Sequence, residues 1–256
     1  MENGKTALVL SAGGMFGAYQ AGAWRALSAY LKPDIVIGAS IGSLNGWAIA
    51  GNCNPQAWVD AWLTLGDGGR AQNHYRLPPS LADGVLDPRP FEEWVQTVYS
   101  TFSPQVPFGA VITELPRLRP RLVQTPGVTW QHLAASCGVP GLLPLRGFDG
   151  ARYGDGGILT ALPLWAAAEM GAARIIAVNV LQVAPASFRL FVRSLRALAP
   201  NVPDTARHLP TVTIAPRRAL GNARDAFQWR RDNAERWAAA GYDDAAAKEH
   251  FIRGMF

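Results

Sequence analysis

The chain has 256 residues, 49% hydrophobic and 17% charged, with two cysteines and a formal net charge of +5. That length accommodates an α/β domain with a sizeable core, and the composition excludes a disordered chain. Cys53 and Cys137 are too few for a disulfide framework and fit a reducing compartment.

The charge is uneven. Residues 1–173 carry 11 Lys/Arg and 12 Asp/Glu, whereas residues 174–256 carry 13 and 7. A basic last third suits anionic lipid, nucleic acid or plain solvation. No zinc-finger spacing or RNP-like run favours nucleic acid, so none is expected as a partner. The amino terminus has one lysine and a short apolar run before Gly13-Gly14, so it does not read as a signal peptide. The most apolar window, Ile35 to Ala50, is interrupted by Gly38, Ser40, Gly42, Ser43, Asn45 and Gly46 and is short for a membrane span. The expected location is cytoplasmic.

Thr6 to Leu10 reads as a short buried strand. A glycine-containing turn, Ser11 to Gly17, follows, and then a helix from Ala18 to Leu31. The glycine spacing does not fit a dinucleotide fingerprint, and there is no Gly-Lys-Ser/Thr. Two readings remain: a tight βα turn, or a loop whose Gly13 and Gly14 N–H groups face a developing anion.

Asp34 to Ile37 is a second strand, and it runs into Gly38-Ala39-Ser40-Ile41-Gly42. This is the Gly-x-Ser-x-Gly pattern of a nucleophile elbow. A sharp strand-to-helix turn strains the serine backbone and brings neighbouring chains close, so only small residues fit on either side. The helix behind it spans Ile41 to Ala50.

Helices are expected at Gln56–Leu65 and Phe91–Tyr99, with a proline-rich surface excursion from Arg70 to Pro90 between them. Phe108 to Thr113 reads as a central strand, and Pro116 to Arg121 as an exposed connection. A short helix through Ser136 starts at Thr129, a plausible cap. Pro140 to Pro144 is a rigid apolar loop, and Asp149-Gly150 is a turn signal. Tyr153-Gly154-Asp155-Gly156-Gly157 then presents one acidic group on a flexible turn, a feature that also arises by chance. Leu164 to Met170 is a helix, Arg174 to Val180 a clear buried strand and Thr211 to Ala215 one more strand. A long helix is expected from Ala223 to Ala240, ended by Gly241, with a last short helix in the tail. The alternation of strands and helices implies a mostly parallel sheet covered on both faces. With no internal repeat and no long linker, the expectation is a single domain over 1–256.

Four segments in this order resemble the patatin-like phospholipase family. They are Ala7 to Gly22, the elbow Gly38 to Asn45, Ala134-Ala135-Ser136-Cys137-Gly138-Val139-Pro140, and Asp155-Gly156-Gly157. The resemblance covers roughly residues 6–182. It implies a three-layer α/β/α fold and a Ser–Asp dyad, with Ser40 as nucleophile, Asp155 as base and Gly13-Gly14 as the oxyanion loop. Family members are acyl hydrolases of phospholipids, galactolipids, neutral lipids or simpler esters, and many work at membrane surfaces. The implied partner is thus a lipid or ester substrate, with no metal and no organic cofactor.

The corresponding chemistry has Asp155 taking the Ser40 proton during attack on an ester carbonyl. The N–H groups of Gly13, Gly14 and Ile41 would hold the oxyanion. A free aspartate has a pKa near 4, a poor match for a base at neutral pH, so the site must tune Asp155 or lean on the oxyanion hole. The competing arrangement is a triad with histidine. His208 and His250 follow Asp155, His74 and His132 precede it, and none has a surrounding signal.

Two positions depart from the family pattern. Ala12 replaces the first of three glycines, which a methyl tolerates if φ is negative. Phe16 replaces an arginine and is expected to bind substrate by extending an apolar acyl pocket. Phe188, Phe191, Val192, Leu195, Leu198 and Ala199 repeat at helical spacing, with Arg189, Arg193 and Arg196 between them. This 188–199 segment reads either as a peripheral contact with anionic membrane or as a solvated edge helix. The alternative to an enzyme is a catalytically impaired lipid- or partner-binding protein of the same fold.

Overall fold

A computed structural model describes residues 4–67, 75, 77, 80–183 and 203–255. The 188–199 segment and His74 lie outside the described residues.

Among the described residues, eight strands form one sheet: β1 (Thr6–Leu10), β2 (Ile35–Ala39), β3 (Phe108–Leu115), β4 (Arg119–Gln124), β5 (Arg146–Phe148), β6 (Ala151–Asp155), β7 (Arg174–Val178) and β8 (Thr211–Ile214). Their order is β5-β6-β3-β2-β1-β7-β8, with β4 also paired to β3. The run β3-β2-β1-β7-β8 is parallel, and β4, β5 and β6 join by antiparallel pairs. Parallel strands need crossovers, and these supply the covering helices.

The two faces are legible from alternation along the strands. Leu8, Leu10, Val36, Phe108, Ile176 and Val178 point into the larger core. That side is covered by α1 (Gly17–Leu27), α2 (Ile41–Ala50), α3 (Pro55–Leu63), α4 (Arg89–Thr101), α5 (Trp130–Ser136) and α7 (Arg231–Ala246). Ala7, Val9, Ile35, Ile37, Ile175 and Ala177 point the other way, onto Trp165, Ala166 and Ala167 of α6 (Leu164–Glu169). The result is the three-layer α/β/α arrangement with a largely parallel sheet. A short α8 (Glu249–Arg253) closes the described chain.

Some elements differ from expectation. The stretch expected as a bare connection after Pro116 holds β4, an edge strand whose Arg119 and Arg121 side chains face solvent. Pro120 is tolerated there because an edge strand leaves one row of N–H groups unpaired. Asp149 and Gly150, both at positive φ, form the two-residue turn of a β5–β6 hairpin. The long carboxy-terminal helix starts at Arg231 rather than Ala223, and it runs through Gly241 to Ala246. Gly241 does not end it. A Cβ there would lie 2.0 Å from the Tyr19 carbonyl oxygen, and one at Gly22 would lie 1.9 Å from that of Ala238. The two glycines let α1 and α7 cross backbone to backbone.

Candidate active site

The pairing of β3 places the site. Gly109, Ala110 and Val111 pair with β2 on one edge and with β4 on the other. Ile112, Thr113 and Glu114 pair with β4 and with β6. A strand has two edges, so β6 lies on the same edge of β3 as β2, in line with it and running the opposite way. The carboxyl ends of β2 and β6 therefore meet head to head. Ala39 sits opposite Val111, and Asp155 sits opposite the next residue, Ile112. Ser40 leaves the sheet at this seam.

Ser40 has φ 54° and ψ −132°, the strained backbone expected of an elbow. Small neighbours are required on both sides. A Cβ on Gly38 would lie 2.1 Å from the Gly42 carbonyl oxygen, and one on Gly42 would lie 2.5 Å from that of Leu10. Ser40 Oγ donates a 2.5 Å hydrogen bond to Asp155 Oδ2. Asp155 Oδ1 accepts the Gly157 N–H at 2.6 Å, the Asp155 carbonyl accepts from Thr113 Oγ1 at 2.8 Å, and its N–H donates to the Gly138 carbonyl at 2.9 Å. Both side chains are buried, at 5% exposure each. Burial disfavours the carboxylate and raises the Asp155 pKa to about 6, against the opposing bonds from Ser40 and Gly157.

The Gly13-Gly14 loop is braced from both sides. A Cβ on Gly13 would strike Val180 at 2.2 Å, and one on Gly14, at φ +55°, would strike the Ala226 carbonyl oxygen at 2.1 Å. That carbonyl accepts the Met15 N–H at 2.8 Å. The N–H groups of Gly13, Gly14 and Ile41 have no hydrogen-bond acceptor among the described residues. Ala12 is not at positive φ, and its methyl packs on Gly157, where a Cβ would meet it at 2.3 Å. The Phe16 ring, expected against an acyl chain, is 5% exposed and packs edge-on against Trp237, with ring centres 4.9 Å apart.

A buried polar chain, not anticipated from the sequence, ties this loop to the elbow helix. Gln20 Nε2 donates to the Ser11 carbonyl at 2.6 Å, and Asn45 Nδ2 donates to Gln20 Oε1 at 2.7 Å and to the Gly17 carbonyl at 3.0 Å. Asn45 Oδ1 accepts the indole N–H groups of Trp58 and Trp62, both at 2.9 Å. Asn45 therefore uses its full capacity of two donors and two acceptor sites. The one available signal was a lone amide within the most apolar window of the chain.

Among the described residues, no histidine bonds to Ser40 or Asp155. His132 Nδ1 instead accepts the Thr129 N–H at 3.1 Å in a capping box at the start of α5, and burial lowers its pKa. His208 is exposed, and His250 lies in α8 beside Phe251. The described residues contain no group of three or more His, Cys, Asp or Glu side chains suited to a metal ion.

Fold and site together define an α/β/α protein with a strained serine at a strand-to-helix turn, hydrogen-bonded to a buried aspartate. The chain belongs to the patatin-like phospholipase family, whose profile matches residues 8–168. Among solved structures, its fold is similar to that of VipD from Legionella pneumophila, with a TM-score of 0.53 at 12% identity, over 95% of this chain and 66% of that one. It also matches the type III effector protein ExoU, with a TM-score of 0.45 at 15% identity, over 95% of this chain and 52% of that one. This chain thus spans about two thirds and about half of those chains, and the likeness to VipD, at 12% identity, bears on the fold alone. No curated protein matches the sequence. None of the described helices is long and apolar enough to cross a membrane.

Proposed function

We propose that the protein is a serine acyl hydrolase that cleaves carboxylic esters of lipids, or simpler esters, through an acyl-enzyme on Ser40. The observation that carries this reading is the 2.5 Å bond from Ser40 Oγ to Asp155 Oδ2 at a strained elbow. A serine hydroxyl attacks only as a base removes its proton, and Asp155 is the base in contact with it. A pKa of about 6 leaves Asp155 ionised at neutral pH and makes it a stronger proton acceptor than a free carboxylate.

As Oγ attacks the ester carbonyl, Asp155 takes the proton. The N–H groups of Gly13, Gly14 and Ile41 receive the oxyanion, which backbone donors stabilise without reorganising. Asp155 then gives its proton to the departing alkoxide. Water, deprotonated by the same carboxylate, releases the fatty acid and restores Ser40.

A fluorophosphonate probe followed by mass spectrometry tests the reading. Labelling on Ser40, lost in Ser40→Ala, is expected, together with hydrolysis of p-nitrophenyl esters. No labelling of the folded protein would favour the lipid- or partner-binding alternative. Substituting His74, His132, His208 or His250 is expected to leave hydrolysis measurable. A folded His208→Ala protein with none would replace the dyad with a triad.

A further inference from the structure

The seam between β2 and β6 leaves a gap in hydrogen bonding on β3. In an unbroken parallel ladder, every second β2 N–H meets a β3 carbonyl, as the Val36 N–H meets that of Pro107 at 3.0 Å, and the Ser40 N–H falls on the same side, toward Val111. The turn at Ser40 swings its N–H out of that register. The hydroxyl of Ser136, at the last residue of α5, occupies the gap. Ser136 Oγ accepts the Ser40 N–H at 2.9 Å and donates to the Val111 carbonyl at 2.7 Å. Two residues on, the Gly138 carbonyl accepts the Asp155 N–H at 2.9 Å. One end of α5 thus grips the backbones of both Ser40 and Asp155. Ser136 is fully buried, and both of its bonds are spent on this seam.

We propose that Ser136 is a positioning residue that splices the β2–β6 seam and sets the reach of Ser40 Oγ to Asp155. The proposal rests on the acyl-hydrolase reading above. Without the hydroxyl, the Ser40 N–H and the Val111 carbonyl are both left buried and unpaired, which costs free energy at that point of the chain. The strained elbow then relaxes by moving, and a displacement well under 1 Å weakens a short Ser–Asp contact. Losses on the order of 100-fold accompany misplacements of about 1 Å.

The test uses the whole protein and compares Ser136→Ala, Ser136→Cys and Ser136→Thr with wild type. Wild type comes first: if it neither labels with fluorophosphonate nor hydrolyses esters, the acyl-hydrolase reading fails, and the Ser136 proposal falls with it. With an active wild type, Ser136→Ala is expected to lower kcat and the probe-labelling rate about 10- to 100-fold, with KM within about twofold. The acid limb of its pH profile moves to higher pH, because a weakened Ser40 bond no longer holds the Asp155 pKa down. Among the described residues, the Cys137 thiol is the other titratable group that interacts with Asp155, and burial keeps it protonated, so it does not confound that limb. Ser136→Thr restores the hydroxyl and recovers rate. Ser136→Cys, close in volume but a weak hydrogen-bonder, falls between wild type and alanine and decides the question if the alanine variant does not fold. A folded alanine or cysteine variant with lowered melting temperature but wild-type kcat and an unmoved acid limb would make Ser136 merely structural and overturn the proposal.

Discussion

Asp155 carries the main energetic tension at the residue scale. Its pKa in the folded protein, about 6, lies above the value of about 3.9 expected in the unfolded chain. The folded state therefore holds the proton more tightly, and this group's contribution to stability is full below about pH 4 and is lost as pH rises through 6. On the proposed mechanism, activity runs the other way, because Asp155 acts as a base only when ionised. Ester hydrolysis should climb through about pH 6 to a plateau, visible in a kcat/KM profile. Asp155→Asn should abolish the reaction while becoming more stable relative to wild type as pH rises from 4 to 7. The gain is on the order of 2–3 kcal/mol and is flat beyond that. Urea melts at pH 4, 5.5 and 7 measure it, and a difference independent of pH would contradict it. Ser40 stood out in the sequence as the centre of an elbow whose glycines the geometry demands, whereas Asp155, on a glycine-rich turn that also arises by chance, was singled out only by the family resemblance. Ser136 and Asn45 were present in the same motifs without a role. Their function depends on partners that only the folded sheet supplies, such as the Ser40 N–H, 96 positions from Ser136.

The lesson at the element scale concerns glycine. In sequence, Gly241 after an apolar helical face reads as a stop signal. In the fold it is a contact, since the Tyr19 carbonyl occupies the place of its side chain. Local pattern does not separate these meanings, and the helix bounds shifted accordingly. The distinction has a measurable consequence. Gly241→Ala would gain about 1 kcal/mol from helix propensity if the position were exposed. A Cβ at 2.0 Å from backbone oxygen instead forces α1 and α7 apart, and overpacking of this kind costs about 2–3 kcal/mol, so the clash wins. The net loss of about 1–2 kcal/mol should lower the melting temperature by roughly 2–8 °C, and a rise on calorimetry would return Gly241 to the role of terminator. β1, β2, β3 and β7 were read more faithfully, since apolar segments buried on both faces leave little ambiguity. The hairpin strands β5 and β6 were not assigned, because three to five half-polar residues carry almost no periodic signal.

Charge and family segregate along the whole molecule. The family match ends at residue 168, and the excess of arginine begins near residue 174. The matched part holds Ser40, Asp155, Gly13 and Gly14, yet the later part reaches back to it. Ala226 supports the glycine loop, Trp237 packs on Phe16, and the Trp229 indole N–H donates to the Trp62 carbonyl at 3.0 Å. If the basic excess serves an anionic lipid surface, co-sedimentation with phosphatidylglycerol vesicles should exceed that with phosphatidylcholine and decline as salt is raised from 50 to 500 mM (about a threefold shorter screening length). Equal, negligible binding to both would assign those arginines to solvation.

The head-to-head meeting of β2 and β6 on one edge of β3 also orders events in time. Ser40 and Asp155 are 115 positions apart, and each is held in place through β3. As the chain is synthesised from its amino end, the serine emerges first, then the strand that will seat it, and the carboxylate last. On the proposed mechanism, a nascent or half-folded chain therefore holds the nucleophile without its base. Hydrolytic competence, on that mechanism, arrives only when β6 joins β3, so the serine stays unarmed until that part of the sheet has closed.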